Sequence, residues 1–242
     1  MSLDGHYKLC GYQKAMFPLC IYGAQDTYSA WINFLRIWTS NNNPKIIGKF
    51  YLDYLYERRD IYVCFCQVIA SRVLPVTPLP LYNFIASAVR ELLDRMEMYF
   101  KRQLSSLVEN GDYDPRDKTD RNLLAYVYIP VLQKELDTFR VSVWNNHRMC
   151  KQKAKELPDG VPEHIYMYPQ NYGGEKCGLT VTEEQLQEAA ELSGVLEGTS
   201  DYLEARFRTE CERHIPDTND VEPAQAANAY LFLKSNFDVN RV

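Results

Sequence analysis

The stretch from Phe17 to Glu57 constrains the fold most. Phe17 to Tyr22 and Ala30 to Trp38 are short runs of apolar, branched and aromatic residues, and both read as strands. Between them Asp26-Thr27-Tyr28-Ser29 is a turn whose side chains can bond backbone amides. The second run ends at Thr39-Ser40-Asn41-Asn42-Asn43-Pro44, a break that also begins a helix. Asn43 suits the cap and Pro44 the first helical position. The helix predicted from there runs to about Glu57, with Ile46, Ile47, Phe50, Tyr51, Tyr54 and Leu55 as its apolar stripe. One carboxylate precedes this block, in Ser2-Leu3-Asp4-Gly5-His6-Tyr7-Lys8-Leu9. Asp4 is therefore the first candidate for chemistry.

A chain of 242 residues has room for one ordinary domain and an appendage. Its apolar content of 46% predicts a packed core rather than wholesale disorder. No apolar run is long enough to span a bilayer, and no charged-then-apolar leader opens the chain. The net charge of −5 is unevenly spread: residues 1–160 are mildly basic and residues 161–242 strongly acidic. A basic body suits a nucleic-acid-binding ancestor, whereas the acidic tail reads as a solvated helical face. The seven cysteines, at 10, 20, 64, 66, 150, 177 and 211, are odd in number and form no framework. Reduced thiols in the nucleus or cytoplasm are the simplest expectation. Cys64-Phe65-Cys66 lacks a second pair at zinc-ribbon spacing and reads as core thiols; His147 with Cys150 is equally isolated.

Beyond Glu57 the pattern changes. Ile61 to Ile69 is an apolar run expected to be a strand, and the prolines of Leu74 to Pro80 exclude regular structure. A helix is predicted from near Leu81 through Met96, Phe100 and Leu104, closed by Glu109-Asn110-Gly111-Asp112. Asp120 is expected to cap the next helix, with Leu123, Leu124, Val127, Leu132, Leu136, Phe139 and Val143 inward and Pro130 kinking or splitting it. Leu157 to Gly174, rich in Pro, Gly and Tyr, reads as an extended segment packed on the surface. Thr182-Glu183-Glu184-Gln185 has the form of a capping box leading into Leu186 and Leu192, and Glu222 to Leu233 is a last short helix.

Several of these segments together resemble the integrase core-domain proteins of animals, which are retroviral-integrase- and transposase-like. Asp4-Gly5-His6-Tyr7-Lys8-Leu9 matches the context of that family's first catalytic acid. Gln25-Asp26-Thr27-Tyr28-Ser29-Ala30 and Ser40-Asn41-Asn42-Asn43-Pro44-Lys45 look like its turn and its Asn-rich break. Downstream, Val143-Trp144-Asn145-Asn146-His147-Arg148 resembles its Trp-Asn-x-His-Arg segment. Pro158-Asp159-Gly160-Val161-Pro162 and Met167-Tyr168-Pro169-Gln170-Asn171-Tyr172-Gly173-Gly174 resemble its Pro-x-Gly-x-Pro and Pro-x-x-Tyr-Gly segments. The resemblance covers roughly 1–57 and 90–215. It implies an α/β fold: an incomplete ribonuclease-H-like core with a short mixed sheet and helices, then a mainly helical C-terminal region. Residues 1–156 would be the core, with 58–89 divergent. Residues 157–242 would be a Pro/Tyr-rich extension and an acidic helical tail.

In the family, three carboxylates hold two divalent metals, magnesium or manganese, for in-line phosphoryl displacement. This sequence departs from that pattern in the middle. Asp60, in Arg58-Arg59-Asp60-Ile61-Tyr62-Val63, lacks the Gly and Glu-Asn that follow the family's second acid. Leu79 to Val89 has no acid where the third is expected; Glu91, Asp94 and Glu97 lie further along without the preceding Asn-x-Arg. Asp4 is then either a relic or a first acid, and a metal ligand only if a partner acid is near. One monodentate acid holds hydrated magnesium weakly, so activity is expected to be lost. Asp26 reads as a turn former. Arg148, Lys151, Lys153 and Lys155 are the candidate nucleic-acid contacts, with Arg90, Arg95, Lys101 and Arg102 a second basic group. Solvated surface charge is the plainer explanation of both. The expected function is a degenerate, domesticated integrase core with nucleic-acid binding and no strand transfer. A protein-interaction module built on the helical half is the alternative. An active nuclease using Asp4 with Asp60 and Glu91 or Glu97 is a third possibility.

Overall fold

Two antiparallel strands form the centre, as the alternation of branched and aromatic residues dictates. β2 (Cys20–Gln25) pairs with β3 (Ile32–Trp38), with Ile21 opposite Ile37, Gly23 opposite Leu35, and an irregularity at Ala24/Gln25. β1 (Ser2–His6) lies antiparallel on the other side of β2, placing Asp4 opposite Gly23. The computed structural model describes residues 2–6, 16–40, 43–57, 62–63, 96, 98–150, 158–176, 179–197 and 201–241, with the backbone alone at 2–6, 62–63 and 179–180. β2 begins and ends three residues later than its apolar run suggests, because Phe17 and Leu19 are buried before the ladder starts. Every strand pairing described is antiparallel, so the mixed sheet that was expected is not found among the described residues. Of the apolar run Ile61 to Ile69, only β4 (Tyr62–Val63) is described, and it pairs with β5 (Leu179–Thr180).

The pleat sends alternate residues to opposite faces. Cys20, Tyr22, Ala24 and Phe34 meet Ile46, Phe50, Tyr51, Tyr54 and Leu55 of α1 (Pro44–Glu57). The bounds of α1 are those its sequence predicts. Asn43 Oδ1 accepts the Lys45 N–H at 3.0 Å, and the Asn43 carbonyl accepts from Ile46. Ile21, Ile32, Leu35 and Ile37 face the larger core on the other side. That core is organised around α3 (Lys118–Thr138), in which Leu123 through Ile129 are consecutively buried. A helical stretch buried on all sides is one enclosed by other elements. α2 (Met98–Glu109), α6 (Ala205–His214) and α7 (Ala226–Asn236) add Phe100, Leu104, Phe207, Cys211, Tyr230 and Leu233 to the same core.

Four local expectations are corrected here. The cap of α3 is Asp117, whose side chain accepts the Thr119 N–H; Asp120 is one turn inside, buried, and accepts from Asp114 N–H and from Lys234 Nζ at 2.7 Å. Pro130 neither splits nor ends α3, because packing around the helix outweighs the roughly 3 kcal/mol that an interior proline costs. Phe139 packs partly buried against the core as expected, but Val143 is exposed, because the chain continues from α3 as a π-helical turn, Phe139–Trp144, which rotates the inward face. Leu157 to Gly174 contains regular structure: α4 (Pro162–Met167) and a short 3-10 turn, Pro169–Tyr172. Pro162 and Pro169 each open one of these, at a first helical position that proline suits.

The predicted capping box is present. Thr182 accepts from Gln185 N–H, and Gln185 Oε1 accepts from Thr182 N–H, at the start of α5 (Glu183–Ser193). Of the two leucines that follow, Leu186 is buried and Leu192 is exposed. No helix among the described residues is long and apolar enough to cross a membrane.

Candidate functional site along the third strand

β3 has β2 on one side, and its other edge carries N–H and C=O groups that need partners. Side chains from α3 and the π-helical turn supply them. Gln133 Oε1 accepts the Ile37 N–H at 3.1 Å, and its Nε2 donates to the Leu35 carbonyl at 2.9 Å. Asn145, just past the π-helical turn, does the same at the other end. Its Oδ1 accepts the Ile32 N–H at 2.9 Å and its Nδ2 donates to the Ile32 carbonyl at 3.1 Å. Arg140 Nη1 donates to the Asn33 carbonyl at 3.4 Å. Trp144 Nε1 donates to the Ala30 carbonyl at 2.8 Å. Two primary amides thus imitate a neighbouring strand, each offering a donor and an acceptor. Asn145 is 1% exposed, so its bonds replace water completely.

The turn before β3 is held by the same group. Asp26 Oδ2 accepts from Ser29 N–H at 2.8 Å and from Ser29 Oγ at 2.7 Å, which makes it a turn former as expected. Ala30 sits at φ 59°, an unfavourable left-handed conformation for a residue with a Cβ. Its carbonyl receives both Trp144 Nε1 and, at 2.7 Å, Gln25 Nε2. Those two buried bonds hold the strained residue in place.

The Pro/Tyr-rich segment closes over this turn. The Glu163 N–H donates to the Asn145 carbonyl at 3.0 Å, and Met149 and Gly160 exchange two backbone bonds. Tyr166 stacks on Trp31 with ring centroids 5.3 Å apart, and its hydroxyl lies 3.2 Å from that of Tyr54. Tyr28 donates to the Tyr172 carbonyl at 2.7 Å, and a Cβ on Gly174 would lie 2.5 Å from the Tyr28 ring. His147 packs here, with its ring 4.6 Å from that of Trp144 and its Nδ1 2.5 Å from the Trp144 carbonyl.

Asp4 lies midway along β1, an outer strand of the three-stranded sheet, in the register row of Gly23 and Leu35. Its side chain falls outside what is described, as do Asp60, Glu91, Asp94 and Glu97, so the acid constellation lies beyond the described residues. Among the described residues no group of three or more His, Cys, Asp or Glu side chains is placed to hold a metal ion. Arg148 is exposed at the head of the basic run; Lys151, Lys153 and Lys155 lie outside the described residues, as do Arg90 and Arg95. Arg102 is exposed and Lys101 half-buried on α2. Cys64 and Cys66 are outside the described residues, and Cys150 is exposed. Sequence reasoning missed Gln133 and Asn145. The signals were slight: for Gln133 an amide at the end of the apolar stretch of α3, and for Asn145 its place beside Trp144 in the Trp-Asn-x-His-Arg resemblance.

A protein-family model described as an integrase core domain matches residues 83–168. No curated protein and no solved structure matches the chain. Over the matched stretch the chain is similar to integrase core domains. The stretch contains α3, the π-helical turn and α4, and so the side chains that hold the edge of β3.

Proposed function

We propose that this chain derives from an integrase or transposase, keeps the integrase scaffold, binds nucleic acid and does not join DNA strands. The observation that carries the reading is the integrase match over residues 83–168, within which Trp144 and Asn145 are engaged with Ala30 and Ile32. A family motif used in this way maintains a fold without requiring the family's chemistry. Loss of the chemistry is argued from the sequence of residues 58–89, where neither acid context survives. Nucleic-acid binding is argued from the kinship and from the Arg148 to Lys155 run, whose first residue is exposed.

The test is a titration of labelled duplex DNA with the full chain at several salt concentrations. Binding should weaken steeply between low and physiological salt, as phosphate contacts release counterions. Lys151→Glu with Lys153→Glu should weaken it at every salt concentration. Absence of binding at low salt would refute the nucleic-acid part of the proposal and leave the ancestry standing.

A further inference from the structure

α5 and the 3-10 turn after it, Val195–Glu197, are fastened to α1 by one side only. Leu186 and Ala190 are buried against it. Gly194, at φ +63°, ends the helix and redirects the chain so that Val195 enters the core. Val195 approaches so closely that a Cβ on Gly48 would lie 2.9 Å from its Cγ2. Lys45 Nζ pairs with Glu197 at 2.8 Å beside it. The same redirection turns Leu196 outward, 59% exposed, while Leu192 is 81% exposed, the most of any large apolar side chain described. Glu188, four residues before Leu192, and Glu191, immediately before it, are exposed on its outward side, with Glu184 one turn further back. Residues 181–197 hold five glutamates and no Lys, Arg or His.

We infer that the outer face of α5 and its 3-10 turn, Leu192 and Leu196 framed by Glu184, Glu188 and Glu191, docks a lysine- and arginine-rich amphipathic segment of a partner protein. Charge complementarity selects this occupant. The carboxylates steer a cationic segment to the face and repel anionic ones, while the two exposed leucines, one on α5 and one on the turn after it, supply an apolar anchor. The inner face is already in use, so the anchor remains available while the helix stays seated. The same charge turns nucleic acid and anionic membrane away, so the inference is independent of DNA binding by the basic run.

Fluorescence anisotropy with the full chain tests this, using a labelled peptide with leucine at helical spacing and lysine elsewhere. The wild type should bind it saturably, and a leucine-free lysine peptide much less tightly. Leu192→Ser with Leu196→Ser should weaken binding by about tenfold or more. Glu188→Lys with Glu191→Lys should weaken it further, whereas Glu212→Lys, at an exposed acid on α6, should leave it unchanged. All these positions are exposed, and circular dichroism should show each variant folded. Equal affinity for the two peptides, or no loss in the leucine double variant, would overturn the inference in favour of non-specific attraction. Self-association that disappears with the same leucine substitutions would overturn it too, by making a second copy the occupant.

Discussion

Asn145 holds Ile32 through both ends of its amide, accepting the backbone N–H at 2.9 Å and donating to the carbonyl at 3.1 Å. The two residues are 113 apart in sequence, and the contact is buried. It joins the opening meander to the far end of the long helix. The integrase match covers one side of the contact, and the Asp4-bearing sheet is the other. Asn145→Ala leaves two buried backbone groups without partners, so a loss of about 2–4 kcal/mol in chemical denaturation is expected. Asn145→Asp keeps the acceptor but loses the donor and should also destabilise. Gln133→Ala, at a less buried site, should cost less.

Tyr28 and Gly174 form a second such lock. The missing Cβ of Gly174 leaves room for the Tyr28 ring, which hydrogen-bonds the Tyr172 carbonyl. Gly174→Ala should therefore destabilise by about 1–3 kcal/mol. In a Tyr28→Ser background the same substitution should cost clearly less. Thermal denaturation of the four species in a double-mutant cycle measures the coupling, and additive effects would refute the contact.

Lys234 ties α7 to α3 by reaching Asp120 Oδ2 and the Asp112 carbonyl, both at 2.7 Å. Asp120 is 3% exposed, so Lys234→Met strands a buried carboxylate. The expected cost is about 2–4 kcal/mol, discounted because Lys234 itself is partly exposed. Asp120→Asn combined with Lys234→Met should recover part of it.

Much of this scaffold is legible in the sequence. The Asn43–Pro44 signal gives the start of α1, and Thr182 with Gln185 gives the start of α5, because local capping chemistry decides both. Pro130 misleads because its penalty is local and the packing that overrides it is not. The capping box does not say which face of α5 is inward; the turn at Gly194 buries Val195 and leaves Leu192 exposed. The edge clamp is the least legible part. An amide that serves a strand about a hundred residues away leaves no periodic trace, and the π-helical turn that aims Trp144 and Asn145 has no sequence signal of its own.

Acid should loosen the junction between β3 and α6. Burial alone would raise the Asp201 carboxyl, but Arg208 and the Leu203 and Tyr202 N–H groups hold it below its ordinary 3.8. Arg208 lies over Tyr202, which meets Trp38 at the end of β3 edge to face. A depressed carboxylate stabilises the fold above its unfolded value and loses that contribution as pH falls through the lower folded value. Wild-type stability should therefore decline below about pH 4 more steeply than that of Asp201→Asn. Parallel declines in denaturation curves against pH would refute the pairing.

We propose that an integrase-like core persists here without strand-cutting chemistry. Incubation of the full chain with supercoiled DNA and magnesium or manganese, beside Asp4→Asn, tests it most directly. The expected result is no metal-dependent nicking by either protein. Nicking by the wild type that vanishes in Asp4→Asn would contradict the claim and make Asp4 a working ligand.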